Sequence, residues 1–495
     1  MPVRVRCAPS PTGYLHIGVT RTALFNFLYA RHNQGRFLLR IEDTDKERSR
    51  EEYTRSIQEG FAWVGIHSDE PPIFQSQRQE YYQSLFNQLL SEGKAYRCDC
   101  SKERLEELRA SQSARGLTPQ YDGHCRERTD VSPAGSVIRL KTPHEGTVAL
   151  QDSIYGEFTF NNADCDDYVI AKSDGTPTYQ FAVVADDHAQ GVTLVIRGND
   201  LFPSTHRQIL LYQAFGWDVP GFAHLPMILG ADKQKLSKRH GATSLLAYRA
   251  MGYLPQAMCN YLVRLGWAYG DQEVFQMDEM IEKFTIDSIG KSPAVFNPDK
   301  LLWLNGEHIR LLGISELTEA WLDHLDHLDE DQVYLEAAPG TSQPVRVPDL
   351  AALRNPSHRD WVELLVGACQ GRSSTLVQLT DHALPFLIRD IQYDAKAVAK
   401  VLNAEARIPL TEVLGWVQKH NPLPDENRIH EFLDNLAKSL DIGLGKVAQP
   451  VRVAVTGRTV SPPINTTLLI LEKSQGHGIL AERLQKALLL IPKAE

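Results

Sequence analysis

Two short stretches of this 495-residue chain combine residue types that handle phosphate. The first, Ala8 to Gly18, reads APSPTGYLHIG and follows an apolar alternation at Val3, Val5 and Cys7. A glycine such as Gly18 lets backbone approach a ligand, a helix start offers free N–H groups and positive dipole, and His16 adds a donor there. The second, Lys235 to Gly241, reads KLSKRHG and sets Ser237 between Lys235 and Lys238. A lysine ammonium is a compact point charge suited to a polyphosphate whose charge shifts during a reaction. Singly, the first stretch is a weak signal that reads more readily as a turn with a surface histidine, and the second also reads as a common solvated basic loop.

A third cluster is Cys98-x-Cys100 followed by Tyr121-x-x-x-Cys125. Thiolates at this short spacing can close around one tetrahedral zinc ion. Seven cysteines in so long a chain make a disulfide scaffold a poor reading, and Cys7, Cys165, Cys259 and Cys369 are scattered enough to be structural. The net charge of -10 argues against a protein that coats nucleic acid through bulk electrostatics. It leaves room for a local basic groove, because screening over about 10 Å makes only nearby charges count. No stretch approaches the roughly 20 apolar residues needed to span a bilayer, and Arg4 and Arg6 precede no long apolar core, so a cytoplasmic protein without membrane contact is expected.

The elements that must position these residues follow from periodicity. Val3, Val5 and Cys7 predict a strand, Leu24, Phe27 and Leu28 a helix, Phe37, Leu39 and Ile41 a second strand, and Tyr53, Ile57, Phe61 and Val64 a second helix. This is the start of an open parallel α/β sheet. From about Tyr96 short strands and turns suggest an insertion; the first pattern resumes with a buried strand at Gly191 to Ile196 and a helix over Phe202 to Phe215. Beyond Leu245 the spacing is mostly helical, as at Ile429, Phe432, Leu433, Leu436 and Leu440 and again at Leu480, Leu484, Leu488 and Ile491. Linkers are expected near Pro339 to Pro348 and Asn421 to Asp425.

The order of the two loops, together with RCAPSPTGYLHIG from Arg6, RIEDTD from Arg40, PTYQFAVVADDH from Pro177 and VIRG from Val195, resembles bacterial glutamyl-tRNA synthetases, of the class I aminoacyl-tRNA synthetases. NYLVRLGW from Asn260, KLLWLN from Lys300 and GKVAQPVRVAVTG from Gly445 extend the similarity along nearly the whole chain. Val19 and Val183 depart from residues that other members carry. The resemblance implies a split Rossmann-like nucleotide-binding domain with an inserted acceptor-end domain, followed by all-α anticodon-binding domains. The expected divisions are 1–80 and 181–245 for the two catalytic halves, 81–180 for the insertion, 246–315 for a stem-contact domain and 316–495 for the anticodon-binding part.

The same resemblance implies catalysis and ATP binding by His16, Lys235 and Lys238, with Gly18 and Ser237 also at the nucleotide, and Mg²⁺ accompanying the phosphates. Arg6, Ala8, Ser10, Glu42, Tyr179 and Arg197 fall where the family holds L-glutamate. Two guanidinium forks and an anion suit a substrate with two carboxylates and one ammonium, and Arg197 would select a carboxylate over a neutral amide. In some relatives zinc sits at the cysteine cluster, and here Tyr121, His124 and Glu127 compete to be its fourth ligand. Arg372, in GRSSTL, falls where discriminating members read the third anticodon base. The implied partners are tRNA(Glu) and, in a non-discriminating enzyme, tRNA(Gln), bound by a monomer. The rivals are a tRNA(Gln)-directed enzyme, a glutamyl-queuosine tRNA(Asp) synthetase, which lacks a half like that beyond about residue 310, and a silent tRNA-binding paralogue, against which the intact His16, Lys235 and Lys238 count.

Overall fold

The computed structural model describes residues 2–45, 47–236, 244–328 and 350–492. Ser237, Lys238 and the linker expected near Pro339 to Pro348 lie outside them. The chain forms two compact units, Met1–Leu246 with Met258–Pro298, and Ala247–Ala257 with Asp299–Glu495. The stretch 246–315, expected to be one body, is therefore shared between both. Among the described residues no helix is long and apolar enough to cross a membrane.

In the first unit β1 (Arg4–Cys7), α1 (Ile17–His32), β2 (Arg36–Ile41), α2 (Glu51–Trp63) and β3 (Ile73–Phe74) follow in order. The strands form a parallel sheet, β1-β2-β3, with Arg4 opposite Arg36 and Arg40 opposite Ile73. A parallel sheet covered on both faces buries residues of either parity. Hence Arg6 is only 4% exposed although the alternation at Val3, Val5 and Cys7 points it outward. The turn from α1 into β2 is tight: a Cβ on Gly35 would lie 2.3 Å from the Val3 carbonyl oxygen.

Next come α3 (Gln79–Ser91), β4 (Ala95–Cys98), α4 (Lys102–Ala114), β5 (Val137–Leu140), β6 (Thr147–Asp152), β7 (Gly156–Asn161) and β8 (Val169–Ala171). Strands β4, β5 and β8 make a small antiparallel sheet. The hairpin β6–β7 does something else: it joins β9 (Leu194–Gly198) and β10 (Gly221–Leu225) in a sheet ordered β7-β6-β10-β9, where Phe222 pairs with Asp152. Ile138, Leu140, Val148 and Leu150 share one apolar core with Phe181 and Leu211 of α5 (Tyr179–Ala189) and α6 (Thr205–Phe215). Strands of the segment 81–180 bury their apolar faces against the elements that follow. Thr193, ahead of β9, donates its N–H to the Arg4 carbonyl at 2.9 Å and so seats β9 beside β1. Short strands β11 (Ile228–Leu229) and β12 (Ala294–Val295) pair in parallel.

Helices dominate the second unit, and no strand occurs among its described residues. Trp321, Leu365, Phe386, Val413, Leu433 and Leu484, spread over six helices, meet in one core. Each such side chain contributes about 1.5–3 kcal/mol when fully buried. Arg483, 2% exposed, donates to the carbonyls of Pro385 at 2.8 Å and Val455 at 2.6 Å, closing helix ends that would otherwise be left unpaired.

Candidate active site

His16 is the N-cap of α1. Its Nδ1 accepts the N–H of Gly18 at 3.1 Å and of Val19 at 3.4 Å, which leaves the other ring nitrogen, Nε2, to carry the proton of the neutral ring and to act as a donor. Packing around the ring, and then Lys235, hold the His16 pKa below its ordinary value. Lys235 is steadied by an isolated bridge from its own backbone to Leu229, and its Nζ lies 3.0 Å from Asp200 Oδ2. The two phosphate-type loops thus reach the same region, with His16, Lys235 and Asp200 within each other's field. Ser237 and Lys238 lie outside the described residues.

Beside them, the ends of β1, β2, α5 and β9 bring together a buried charge network. Arg6 grips Asp187 through Nε at 2.9 Å and Nη2 at 3.3 Å. Arg40 reaches Asp187 at 2.7 Å, Gln190 at 2.9 Å and Glu42 at 3.3 Å. Asp186 in turn accepts from Arg78 at 2.7 Å, Gln75 at 2.8 Å and Tyr82 at 2.7 Å. Burial opposes the charge on Arg6, but Asp187 outweighs it and raises the pKa. Burial likewise raises Glu42 against the pull of Arg40 and Arg6. Arg40, Asp186 and Asp187 were not singled out from the sequence. A charged residue within the apolar runs RFLLRI and FAVVADD was the available signal.

Arg197 differs from these arginines. It is 3% exposed, yet Nε donates to His224 Nε2 at 3.1 Å, Nη1 to Gln208 Oε1 at 2.7 Å and Nη2 to Thr205 Oγ1 at 2.8 Å, all neutral acceptors. Burial pulls its pKa down. A cavity of about 400 Å³, within the range of small-molecule pockets, is lined by Ser10, Glu42, Lys172 and Tyr179, among others. Tyr179, at the start of α5 and 37% exposed, has its hydroxyl pushed up to about 12, first by the burial of that end of the ring and then by Glu42. Arg6, Ala8 and Arg197 do not line this cavity, although Arg6 and Arg197 act on the charges of Glu42 and Tyr179 that do. Ala8 is half-buried just past β1.

The three thiols of Cys98, Cys100 and Cys125 lie within 4.8 Å of one another. Tyr121 Oη sits 3.4 Å from Cys98 Sγ and 3.6 Å from Cys100 Sγ, and accepts the Cys125 N–H at 2.9 Å. Glu127 instead turns outward to Lys141 at 3.0 Å, and neither it nor His124 joins the cluster. The ion pair with Lys141 holds the Glu127 carboxylate away from the thiols. In the second unit Arg372 is exposed beside His382, Arg458 and Val460, and its charge works against that of the half-buried Arg452.

A split parallel sheet with a phosphate-type loop after its first strand and another after its last long strand, joined to a helical unit, defines a class I aminoacyl-tRNA synthetase architecture. Residues 2–303 match the family described as tRNA synthetases class I (E and Q), catalytic domain, and residues 317–488 match the anticodon binding domain. The chain is 46% identical over 492 residues to a glutamate–tRNA ligase of Geotalea uraniireducens, covering 99% of each chain. It is 46% identical over 474 residues to glutamate–tRNA ligase 1 of Alkalilimnicola ehrlichii, covering 95% of each. A crystal structure of a glutamate tRNA ligase from Elizabethkingia meningosepticum in complex with its amino acid superposes with a TM-score of 0.81 at 31% identity, covering 99% of each chain. The chain belongs to the glutamate–tRNA ligase family.

Proposed function

We propose that this protein attaches L-glutamate to tRNA(Glu) at the expense of ATP. The observation that carries the reading is Arg197, a buried guanidinium whose partners are all neutral. Such a group gains most from an anion, and a substrate offering an amide there would leave its charge unpaired. The glutamate side-chain carboxylate is that anion. Glu42 suits the ammonium, and Arg6, held by Asp187, adds positive charge nearby.

In the first step the substrate's α-carboxylate oxygen attacks the α-phosphorus of ATP, and the bond to the β-phosphate oxygen breaks. Glutamyl-adenylate and pyrophosphate result. His16 donates through Nε2 and Lys235 and Lys238 place positive charge on phosphates whose charge is redistributing, so they act electrostatically. In the second step a terminal ribose hydroxyl of the tRNA attacks the adenylate carbonyl and AMP leaves. Mg²⁺ is read as a companion of the nucleotide's phosphates, supplying charge neutralisation. Zinc suits the three clustered thiols, with the Tyr121 oxygen beside them as fourth ligand, and would hold the β4 end to the 121–125 loop without entering the chemistry. A monomer in the cytoplasm fits this reading, as does discrimination against tRNA(Gln) through Arg372.

The test is ATP–pyrophosphate exchange by the purified protein with glutamate, with and without tRNA. Glutamate-dependent exchange is expected, with glutamine poorer by about 100-fold or more. Failure to form adenylate or charge tRNA under any of these conditions would overturn the reading and favour a silent tRNA-binding protein.

A further inference from the structure

Arg197 alone cannot account for its own orientation, since a long guanidinium side chain with no ion partner has several rotamers open to it. Its buried neighbours hold it. His224, wholly buried on β10, faces it with Nε2, while its Nδ1 lies 2.6 Å from Asp152 Oδ2. A carboxylate at that distance accepts, so the ring proton sits on Nδ1, and Nε2 keeps the lone pair that receives the Arg197 Nε–H. The opposite tautomer would set donor against donor. Asp152 is itself pinned at the end of β6: Oδ1 accepts the N–H groups of Ile154 and Tyr155, both at 2.9 Å, and Oδ2 accepts the His224 N–H at 3.2 Å. Phe202 meets the imidazole edge-on at 5.0 Å and Phe222 lies parallel to it at 6.1 Å, which limits ring rotation. With Thr205 and Gln208 taking one N–H from each terminal nitrogen, one N–H on each remains for an incoming carboxylate.

We propose that Asp152 and His224 are positioning residues that set the tautomer and direction by which Arg197 reads the substrate's side-chain carboxylate. The proposal rests on the reading of Arg197 given above. It also gives the hairpin β6–β7 a role: Asp152 reaches the reader because Phe222 pairs with it across the sheet.

The test compares steady-state glutamate activation, in the presence of tRNA, for Asp152→Asn, His224→Leu, His224→Gln and Arg197→Ala. Asp152→Asn keeps the shape but offers an amide that can donate to Nδ1, and His224→Leu removes the acceptor. Both are expected to raise the glutamate KM by about tenfold or more with the ATP KM within about twofold. His224→Gln can place its Oε1 where Nε2 stood and should recover most of the loss. The proposal is overturned if Leu and Gln at position 224 behave alike, or if the glutamate and ATP constants worsen together, as a merely structural role would give. Arg197→Ala separates the two readings. A normal glutamate KM in that variant removes Arg197 as reader, whereas a raised one beside normal Asp152→Asn and His224→Leu removes only the positioning pair.

Discussion

Arg6, Arg40 and Arg197 show how the same side chain acquires different work from its partners. Arg6 and Arg40 share the one carboxylate of Asp187, whereas the side-chain partners of Arg197 are all neutral. The candidates Arg6, Glu42 and Arg197 were legible from motifs, but their partners were not. Asp187 lies 181 residues from Arg6 and 147 from Arg40, and pairing over such separations is set by sheet order, which no local pattern carries. At this scale the sharpest prediction concerns the second loop. Lys238→Ala is expected to slow adenylate formation by about 10²-fold or more, because an oriented charge on a transferring phosphate is lost, with the thermal midpoint nearly unchanged. Presteady-state adenylate formation measures it, and unaltered turnover in the folded variant would remove Lys238 from the machinery.

At the scale of elements, the strand-helix-strand opening was readable because each piece has its own period. The fate of β6–β7 was not. Alternation identifies a half-buried strand but not the sheet it joins, and here burial of Val148 and Leu150 against the later helices draws the hairpin into the main sheet. Two predictions belong here. The cluster at the end of β4 should hold about one zinc per chain through Zn–S bonds near ~2.3 Å; metal analysis of protein purified under reducing, chelator-free conditions is the check, and under about a tenth of an equivalent would count against it. The second concerns His324 in the helix Ile314–Asp326. Burial first, and then the charge of Arg249, push its pKa down to about 4, against about 6.5 for the unfolded chain. The unfolded state therefore binds the proton more readily. The stability this neutral ring contributes is complete above pH 6.5 and is lost as pH falls toward 4, a change on the order of 3 kcal/mol. Urea denaturation of His324→Leu should show a shallower acid decline than the parent; equal slopes between pH 7 and 4 would contradict this.

At the scale of the molecule, the proposed readers of the amino acid and of the anticodon fall in different units of one chain. Arg372 is the candidate for the second. Its exposed guanidinium belongs to a local excess of positive charge with Arg452, while neighbouring Arg458 is neutralised by Asp381 at 2.9 Å and 3.0 Å. A fork of donors matches the N3 and O2 acceptors of a cytosine, the third anticodon base of tRNA(Glu), and meets the N1–H and N2–H donors of the guanine that tRNA(Gln) carries there, a difference of about 1–3 kcal/mol. The parent enzyme is expected to charge tRNA(Glu) and reject tRNA(Gln), and Arg372→Ala to narrow that gap by about tenfold or more. Glutamylation of both transcripts measures it. Efficient charging of tRNA(Gln) by the unaltered protein would show that this arginine does not exclude it, while a uniform loss on both tRNAs would mark a phosphate contact.

The sequence by itself determined the order of elements, the two phosphate-type loops, the cysteine cluster and the family, because these are carried by local spacing and by residue identity at short range. Only the tertiary structure decided which carboxylate neutralises which arginine, that Tyr121 and not Glu127 faces the thiols, and that Asp152 and His224 stand behind Arg197. Those outcomes depend on which strands lie side by side, and that is settled by burial of apolar surface across the whole unit, a sum to which every segment contributes and which no single segment displays.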